Sequence, residues 1–330
     1  MSEYNRSLSE TEFHDWPRRP TIDSAVALYF SAMAGLVLTQ LCASAVAALF
    51  PSARGMAVSF AFQLLYYAAF VLVPIGRHIA HRPGTTSGLG LTLPRVRPLV
   101  LTLLACVAGV FLCDNLGTLW LIALEKMGLT PQLAASPAQT GALLQVMRFL
   151  VLALVPGVCE ELLFRGVLMS AWLRRGRKCA LLFSTALFVL SHGSIEALPG
   201  EAVIGLALGL IVLASDSLIP AMAYHALHNA LVLVLPGVSG GAQAALASGQ
   251  TLIGFVGGGS GVWMLLMRTL AFLAVFGGLL YTIWQLRAPA KAETTDKTPL
   301  GTQTLIVLAA GIVTACCLYF INFLTLLGVL

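Results

Sequence analysis

The stretch VCEELLFRGV, residues 158–167, places two adjacent glutamates and an arginine inside a long apolar run. An ionisable side chain at the centre of a membrane helix costs on the order of 2.5–3.5 kcal/mol, even on insertion-based scales. Glu161 and Arg165 are four residues apart, so they share one face of a helix and can neutralise each other as an ion pair. We therefore interpret this pair as support for a site.

Glu160 points about 100° away from Glu161 around the helix, so the two carboxylates cannot share one direction. Its neighbour one turn later is Phe164, which leaves Glu160 without a charged partner on its own helix. A carboxylate in such a setting binds a proton more readily than one in water, and this suits a general base. Pro156, one turn earlier, predicts a kink that opens a cavity.

Two later segments carry further polar residues in apolar surroundings. FVLSH ends at His192, and YHALHNALV contains His225, His228 and Asn229. His225 and Asn229 are four apart and share a helix face, whereas His228 is offset by about 60° and either joins the site or flanks it.

These polar groups reach a common depth in the predicted membrane helices. At 1.5 Å per residue, Glu160 and His192 each lie about 21 Å from the nearest basic loop, and Asn229 lies about 20 Å beyond the turn at Asp216. A lone membrane histidine is usually an interhelical hydrogen-bond partner, but three helices matched in depth predict one shared site. Asp114–Asn115 and Arg148 have no such partners in sequence and are interpreted as structural.

The elements that must position these residues are membrane helices. The 330-residue chain is 58% hydrophobic and 10% charged, whereas soluble domains carry about 25% charged residues. The sequence predicts an all-α, polytopic transmembrane helical bundle of about 8–9 spans. The apolar runs lie at 24–50, 56–75, 98–124, 142–173, 179–193, 202–215, 218–235, 263–284 and 304–330. The runs at 179–193 and 202–215 are short, and an even count of spans follows if one of them does not cross.

Loop charge predicts the orientation of the bundle. Basic residues concentrate before the first span, in 77–97, in RRGRK at 174–178 and in 287–297, whereas the alternate loops carry few. The positive-inside rule then predicts a cytoplasmic N-terminus. The net charge of +5 comes without a basic patch interleaved with aromatics, so no nucleic-acid binding is predicted. The seven cysteines include no CxxC pair, which argues against a disulfide framework or a thiolate zinc cluster.

Four regions are predicted along the chain. Residues 1–23 form a cytoplasmic N-terminal arm, 24–141 the first membrane spans, 142–235 the core that carries the motifs, and 236–330 a flexible loop followed by the last spans. The flexible loop, 236–262, is rich in Gly, Ala and Ser.

The motif-bearing core resembles the CPBP family of CAAX proteases and bacteriocin-processing enzymes, also called the Abi family. Its three motifs, EExxxR, FxxxH and HxxxN, read here as EELLFR at 160–165, FVLSH at 188–192 and HALHN at 225–229. Each motif alone is weak, but all three in order within about 70 residues are a strong signal. The flanking spans carry no motif.

The resemblance implies a metal-independent, glutamate-dependent intramembrane endopeptidase. Glu160 would activate the attacking water, and His192 would hold that water or share its proton. His225 and Asn229 would stabilise the oxyanion, and Glu161 and Arg165 would shape the site. Amide hydrolysis needs such a base and donors aimed at developing negative charge, and both work best away from bulk water.

Two other hypotheses remain open from the residues alone. The histidines with Glu160 could hold zinc in a metal-dependent protease, although no HExxH helix is present. Buried Glu and His also suit a non-enzymatic transporter or scaffold, against which stand the complete motif set and the lack of repeats.

The expected partners are the lipid bilayer and a membrane-associated peptide or protein substrate, with no resident cofactor. The expected location is a bacterial inner (plasma) membrane. The site would lie about two-thirds of the way into a ~30 Å hydrocarbon core, measured from the basic loops. Because those loops flank the motif helices, and CAAX enzymes process cytoplasmic tails, we expect the site to open on the cytoplasmic side.

Overall fold

The fold is taken from a computed structural model, which describes residues 20–50, 55–80, 89–129, 131, 141–235, 242, 245–246, 248–287 and 298–329. The N-terminal arm up to residue 19 lies outside these ranges. The described residues form helices and connecting turns, with no strand among them, which confirms the all-α bundle.

Ten helices follow one another in the described part of the chain, and nine of them correspond to the predicted spans. They are α1 Ile22–Leu49, α2 Met56–Ala80, α3 Val96–Lys126, α4 Ala142–Arg175, α5 Arg177–His192, α6 Leu198–Ser215, α7 Ile219–Val234, α8 Leu252–Phe255, α9 Gly258–Gln285 and α10 Thr302–Leu326. Seven of these helices are long and apolar enough to cross a membrane, whereas α5 and α7 have only 16 residues each.

The predicted flexible loop at 236–262 is partly ordered, and that prediction is wrong for its second half. Thr251 caps the single turn of α8 by accepting from the Gly254 amide, and the Glu125 carboxylate accepts from the Leu252 amide. Leu252 is buried against α3 and α9. Local capping and one buried leucine therefore order a segment whose composition predicts flexibility. Residues 236–241, 243–244 and 247 lie outside the described ranges.

The centre of the bundle is the second half of α4. Every residue from 163 to 172 is buried, and this stretch packs against α1, α5 and α6. Its apolar side chains belong to the larger of two hydrophobic clusters. An interior segment without a lipid-facing side fixes the position of the residues just before it, which include Glu160 and Glu161.

A close helix crossing joins α4 to α7, the two helices that carry the first and third motifs. A Cβ atom added at Gly157 would lie 2.7 Å from the Ala226 amide nitrogen and 2.9 Å from its Cα. Small residues at membrane helix crossings let two backbones approach in this way. Gly157 lies one turn before Glu160, and Ala226 lies one residue after His225. Their contact therefore sets the distance between the first and third motifs.

Gly157→Ala is therefore expected to destabilise the bundle by about 1–3 kcal/mol, because the new methyl group meets the backbone of α7 rather than a movable side chain. Thermal unfolding of the detergent-solubilised protein measures the loss. Gly277→Ala is the matched control, since no atom lies within 4 Å of a Cβ at Gly277. Equal melting temperatures for both variants would contradict a tight α4–α7 contact.

Candidate active site

Wide π-helical turns surround the glutamates on α4. One spans Leu150–Leu154 and the other Leu162–Met169, on either side of the α-helical segment Val155–Glu161. Pro156 lacks an amide hydrogen to donate to the preceding turn, and the first wide turn lies directly before it. Wide turns of this kind occur often at functional sites. The kink predicted at Pro156 therefore appears in the structure as wide turns on either side of the segment that contains it.

Glu161 is the centre of a buried polar cluster. Its Oε1 accepts from Arg165 Nη1 at 2.9 Å and lies 2.9 Å from His225 Nδ1. The side chains of Glu161 and Arg165 are both fully buried. With Glu161 ionised, as its ion pair with Arg165 requires, Nδ1 of His225 carries the hydrogen. One carboxylate therefore orients a histidine on another helix.

Arg165 connects this cluster to two more helices. Its Nη2 donates to the Gly205 carbonyl of α6 at 2.9 Å, and its guanidinium lies 4.5 Å from the centre of the Phe188 ring on α5. The Phe188 ring also contacts His225 edge-on, with 5.8 Å between ring centres. A guanidinium over an aromatic face is attracted by the ring quadrupole. The phenylalanine of the second motif thus packs against both the arginine of the first motif and the histidine of the third.

Glu160 points away from this cluster, as helix geometry predicts. Its Oε1 accepts a 2.6 Å hydrogen bond from the Tyr67 hydroxyl of α2. Its Oε2 has no hydrogen-bond partner among the described residues. That oxygen lies 3.8 Å from Nε2 of His192 and 4.0 Å from Nε2 of His225. Both distances exceed those of a direct hydrogen bond.

His192 is held in one orientation by its own helix. Its Nδ1 lies 2.9 Å from the Phe188 carbonyl oxygen, and a carbonyl only accepts, so Nδ1 carries the hydrogen. Its Nε2 therefore faces Glu160 and lies 3.4 Å from Oε2 of Glu201, in the first turn of α6. Attraction across this short gap requires a proton on either the imidazole or the carboxyl group.

Several of these groups, among them Tyr67, Glu160 and Glu201, line one cavity of about 470 Å³. The cavity wall includes the four residues predicted as catalytic, Glu160, His192, His225 and Asn229. The two supporting residues, Glu161 and Arg165, lie behind the wall. His228 also lines the cavity, with its ring stacked on Tyr224 and its Nδ1 unpartnered among the described residues.

Residues interpreted as structural lie elsewhere. Arg148, one of these, donates to the Gln145 side chain in the first turns of α4, at 3.4 Å. Asn115 is fully buried in α3, away from the cavity wall. Neither residue contributes to the cavity.

Two residues of the site were missed by sequence reasoning. Tyr67 lies in the apolar run LLYYAAF, with no polar neighbour at helical spacing to single it out. Glu201 comes directly before the predicted span at 202–215, where a loop carboxylate is ordinary. The sequence does indicate its position, because Pro199 marks the start of a helix and acidic residues favour the first helical turn.

The described residues contain no group of three or more His, Cys, Asp or Glu side chains arranged to hold a metal ion. The zinc hypothesis therefore gains no support from the geometry of these residues. The absence of a cofactor stays a prediction.

Comparison with known proteins supports the motif-based resemblance. Residues 142–231, about a quarter of the chain, match the model of a family described as type II CAAX prenyl endopeptidase, Rce1-like. The resemblance drawn from the three motifs is confirmed over this segment. No curated protein and no solved structure matches the chain. The match indicates a membrane peptidase.

Glu161→Gln is expected to lower stability by about 3–5 kcal/mol, because Arg165 would remain buried without a counter-charge. The melting temperature and folded yield of the purified protein measure this loss. The double variant Glu161→Gln/Arg165→Met removes both charges and should recover most of the stability. A double variant no more stable than the single one would show that the ion pair is not the source of the loss.

Proposed function

Given the Rce1-like segment at 142–231, we propose that this chain is a glutamate-dependent intramembrane endopeptidase that hydrolyses a peptide bond of a membrane-associated peptide or protein. The observation that carries the proposal is the unpartnered Oε2 of Glu160, which faces Nε2 of both His192 and His225 across gaps of 3.8 and 4.0 Å. In the proposed mechanism a water molecule binds at this oxygen, and the adjoining cavity holds the carbonyl group that the water attacks.

In the proposed first step, Glu160 Oε2 removes a proton from water while the water oxygen bonds to the scissile carbonyl carbon. The carbonyl π electrons move to oxygen and give a tetrahedral oxyanion. In the second step, the C–N bond breaks, the leaving nitrogen takes a proton from the site, and a carboxylic acid and an amine result. The hydrogen bond from Tyr67 holds Glu160 Oε1, so that Oε2 is the oxygen aimed at the water.

The oxyanion needs hydrogen-bond donors directed at the position that the carbonyl oxygen occupies in the tetrahedral intermediate. The contact of Nδ1 with the Glu161 carboxylate turns Nε2 of His225 toward the cavity, and Nε2 would donate when both ring nitrogens carry a hydrogen. Asn229 lies one turn further along the same face of α7 and supplies an amide N–H. Together they supply one charged and one neutral donor.

His192 and Glu201 form the proton store of the proposed mechanism. The proton held between Nε2 and the Glu201 carboxyl group, 3.4 Å apart, lies next to Glu160 and can pass to the leaving amine, and the proton that Glu160 took from water then replaces it. His192 then acts in both steps, because it orients the water before attack and supplies or relays a proton after it. We further propose a bacterial plasma membrane location with the N-terminus in the cytoplasm, on the basis of loop charge.

Glu160→Gln is expected to lower the cleavage rate of a membrane-tethered peptide by roughly 10²-fold or more, because an amide cannot take the proton from water. Folded yield should be nearly unchanged, since Glu160 has no charged partner on its own helix. Glu196→Gln is the matched control: this carboxylate accepts from Ser194 in the α5–α6 turn and does not line the cavity. Wild-type turnover by Glu160→Gln would rule out the mechanism.

Chelation separates the proposal from the zinc-dependent alternative. Activity of the purified protein should persist after a strong chelator has removed all metal, since the proposed base is Glu160 and not a metal-bound hydroxide. Metal analysis of the treated protein is the control. Loss of activity on chelation, with recovery on zinc addition, would support the alternative.

A further inference from the structure

The position of the cavity along the bundle indicates from which side of the membrane a substrate enters. This inference rests on the proposed function. We infer that the cavity opens at the extracytoplasmic end of the bundle. Its substrate is then a peptide segment next to the membrane on that side, and not a cytoplasmic tail.

The cavity lies at one end of each short motif helix. It contacts the last two residues of α5, Ser191 and His192, the first turn of α6 at Glu201, and the last turns of α7 at Val232 and Leu233. Arg177, at the start of α5, is therefore about 22 Å from His192 along the helix axis. In a hydrocarbon core of ~30 Å, the site is closer to the membrane surface opposite RRGRK.

The other end of the bundle is closed by packing. All residues from 163 to 172 of α4, between Glu160 and the basic loop, are buried. Below them, the segment before α3 is hydrogen-bonded to the α6–α7 turn, from the Leu218 amide to the Gly90 carbonyl at 2.8 Å and from the Ser217 hydroxyl to the Thr92 carbonyl at 2.6 Å. Leu218 is itself fully buried. With the opposite end packed, the cavity end is the route that we assign to water and a peptide on their way to Glu160.

Loop charge assigns the two ends to the two sides of the membrane. The end closed by packing carries RRGRK and the basic residues near the end of α2 and the start of α3, whereas the cavity end carries few basic residues. The positive-inside rule puts the basic end in the cytoplasm. The sequence-based expectation of a cytoplasmic opening used the same loops, but the cavity lies at the opposite end from them.

The cavity lining narrows the substrate class. Its charged groups among the described residues are the carboxylates Glu160 and Glu201 with the histidines, and it contains no Lys or Arg to receive a free C-terminal carboxylate. Gln40 of α1 and Gln63 of α2 face the same space and can hydrogen-bond an extended backbone. These features favour an internal bond in a stretch without acidic side chains, near the extracytoplasmic membrane surface.

Cysteine labelling tests the opening with two positions at opposite ends of α5. Native Cys179 is free and exposed beside the basic loop and reports on the cytoplasmic end. Ser191→Cys places a thiol at the cavity, and the change is small, because the Ser191 hydroxyl bonds only within its own helix, to the Phe188 carbonyl. Val232→Cys, at an exposed position of the cavity wall on α7, is a second reporter.

A membrane-impermeant maleimide is added to intact cells and to inverted vesicles, and the labelled residue is identified by mass spectrometry. In intact cells, the thiol at position 191 or 232 should be labelled roughly tenfold more than Cys179, and inverted vesicles should give the reverse order, because only a water-exposed thiol reacts. Labelling in detergent is the control for folded, reactive protein.

Labelling of positions 191 and 232 only in inverted vesicles, or of neither position from outside intact cells, would overturn the inference. Labelling requires no turnover, so it fails or succeeds independently of the proposed function. Cleavage lost in Glu160→Gln with labelling from the cytoplasm would reject the opening and keep the peptidase. Labelling from outside the cells without any Glu160-dependent cleavage would keep the extracytoplasmic opening and reject the peptidase.

Discussion

The buried ion pair between Glu161 and Arg165 is the interaction on which the rest of the site depends. In a low-dielectric interior neither charge is tolerated alone, so the pair must stay intact and its remaining hydrogen-bonding capacity must be used. That capacity is directed to other helices, with His225 on α7 and the Gly205 carbonyl on α6 as partners. The guanidinium also covers the ring of Phe188 on α5. One pair on α4 thereby fixes the distances between all three motifs.

Adjacent glutamates with different surroundings are a consequence of helix rotation. Glu161 turns into the packed interior, where Arg165 and His225 contact it, while Glu160 turns to the cavity, where the Tyr67 hydroxyl is its hydrogen-bond partner among the described residues. The two surroundings differ although the two residues are of the same type. This difference needs only the angle of about 100° between neighbouring side chains and a bundle that is packed on one side and hollow on the other.

The features that depend on local residue spacing could be predicted from the sequence. Apolar run length predicted nine of the helices, seven of which are long and apolar enough to cross a membrane, and i,i+4 spacing predicted the Glu161–Arg165 pair. Sequence reasoning missed Tyr67 and Glu201, because each meets the site through a contact between helices far apart in the chain. It also missed the order in 248–262, where Thr251 and Glu125 cap a single turn. The end at which the cavity lies depends on packing along α4, which residue spacing does not encode.

The shortness of α5 and α7 has a consequence for the lipid around them. Sixteen residues extend about 24 Å, which is less than the ~30 Å of an ordinary hydrocarbon core. Leu182 of α5 is exposed, so lipid chains beside it would border a helix shorter than the hydrocarbon core. The bilayer compensates for such hydrophobic mismatch by local thinning. Headgroups and their water are then drawn inward beside the cavity, which makes bilayer thickness a determinant of how readily a hydrolytic site in this fold is wetted.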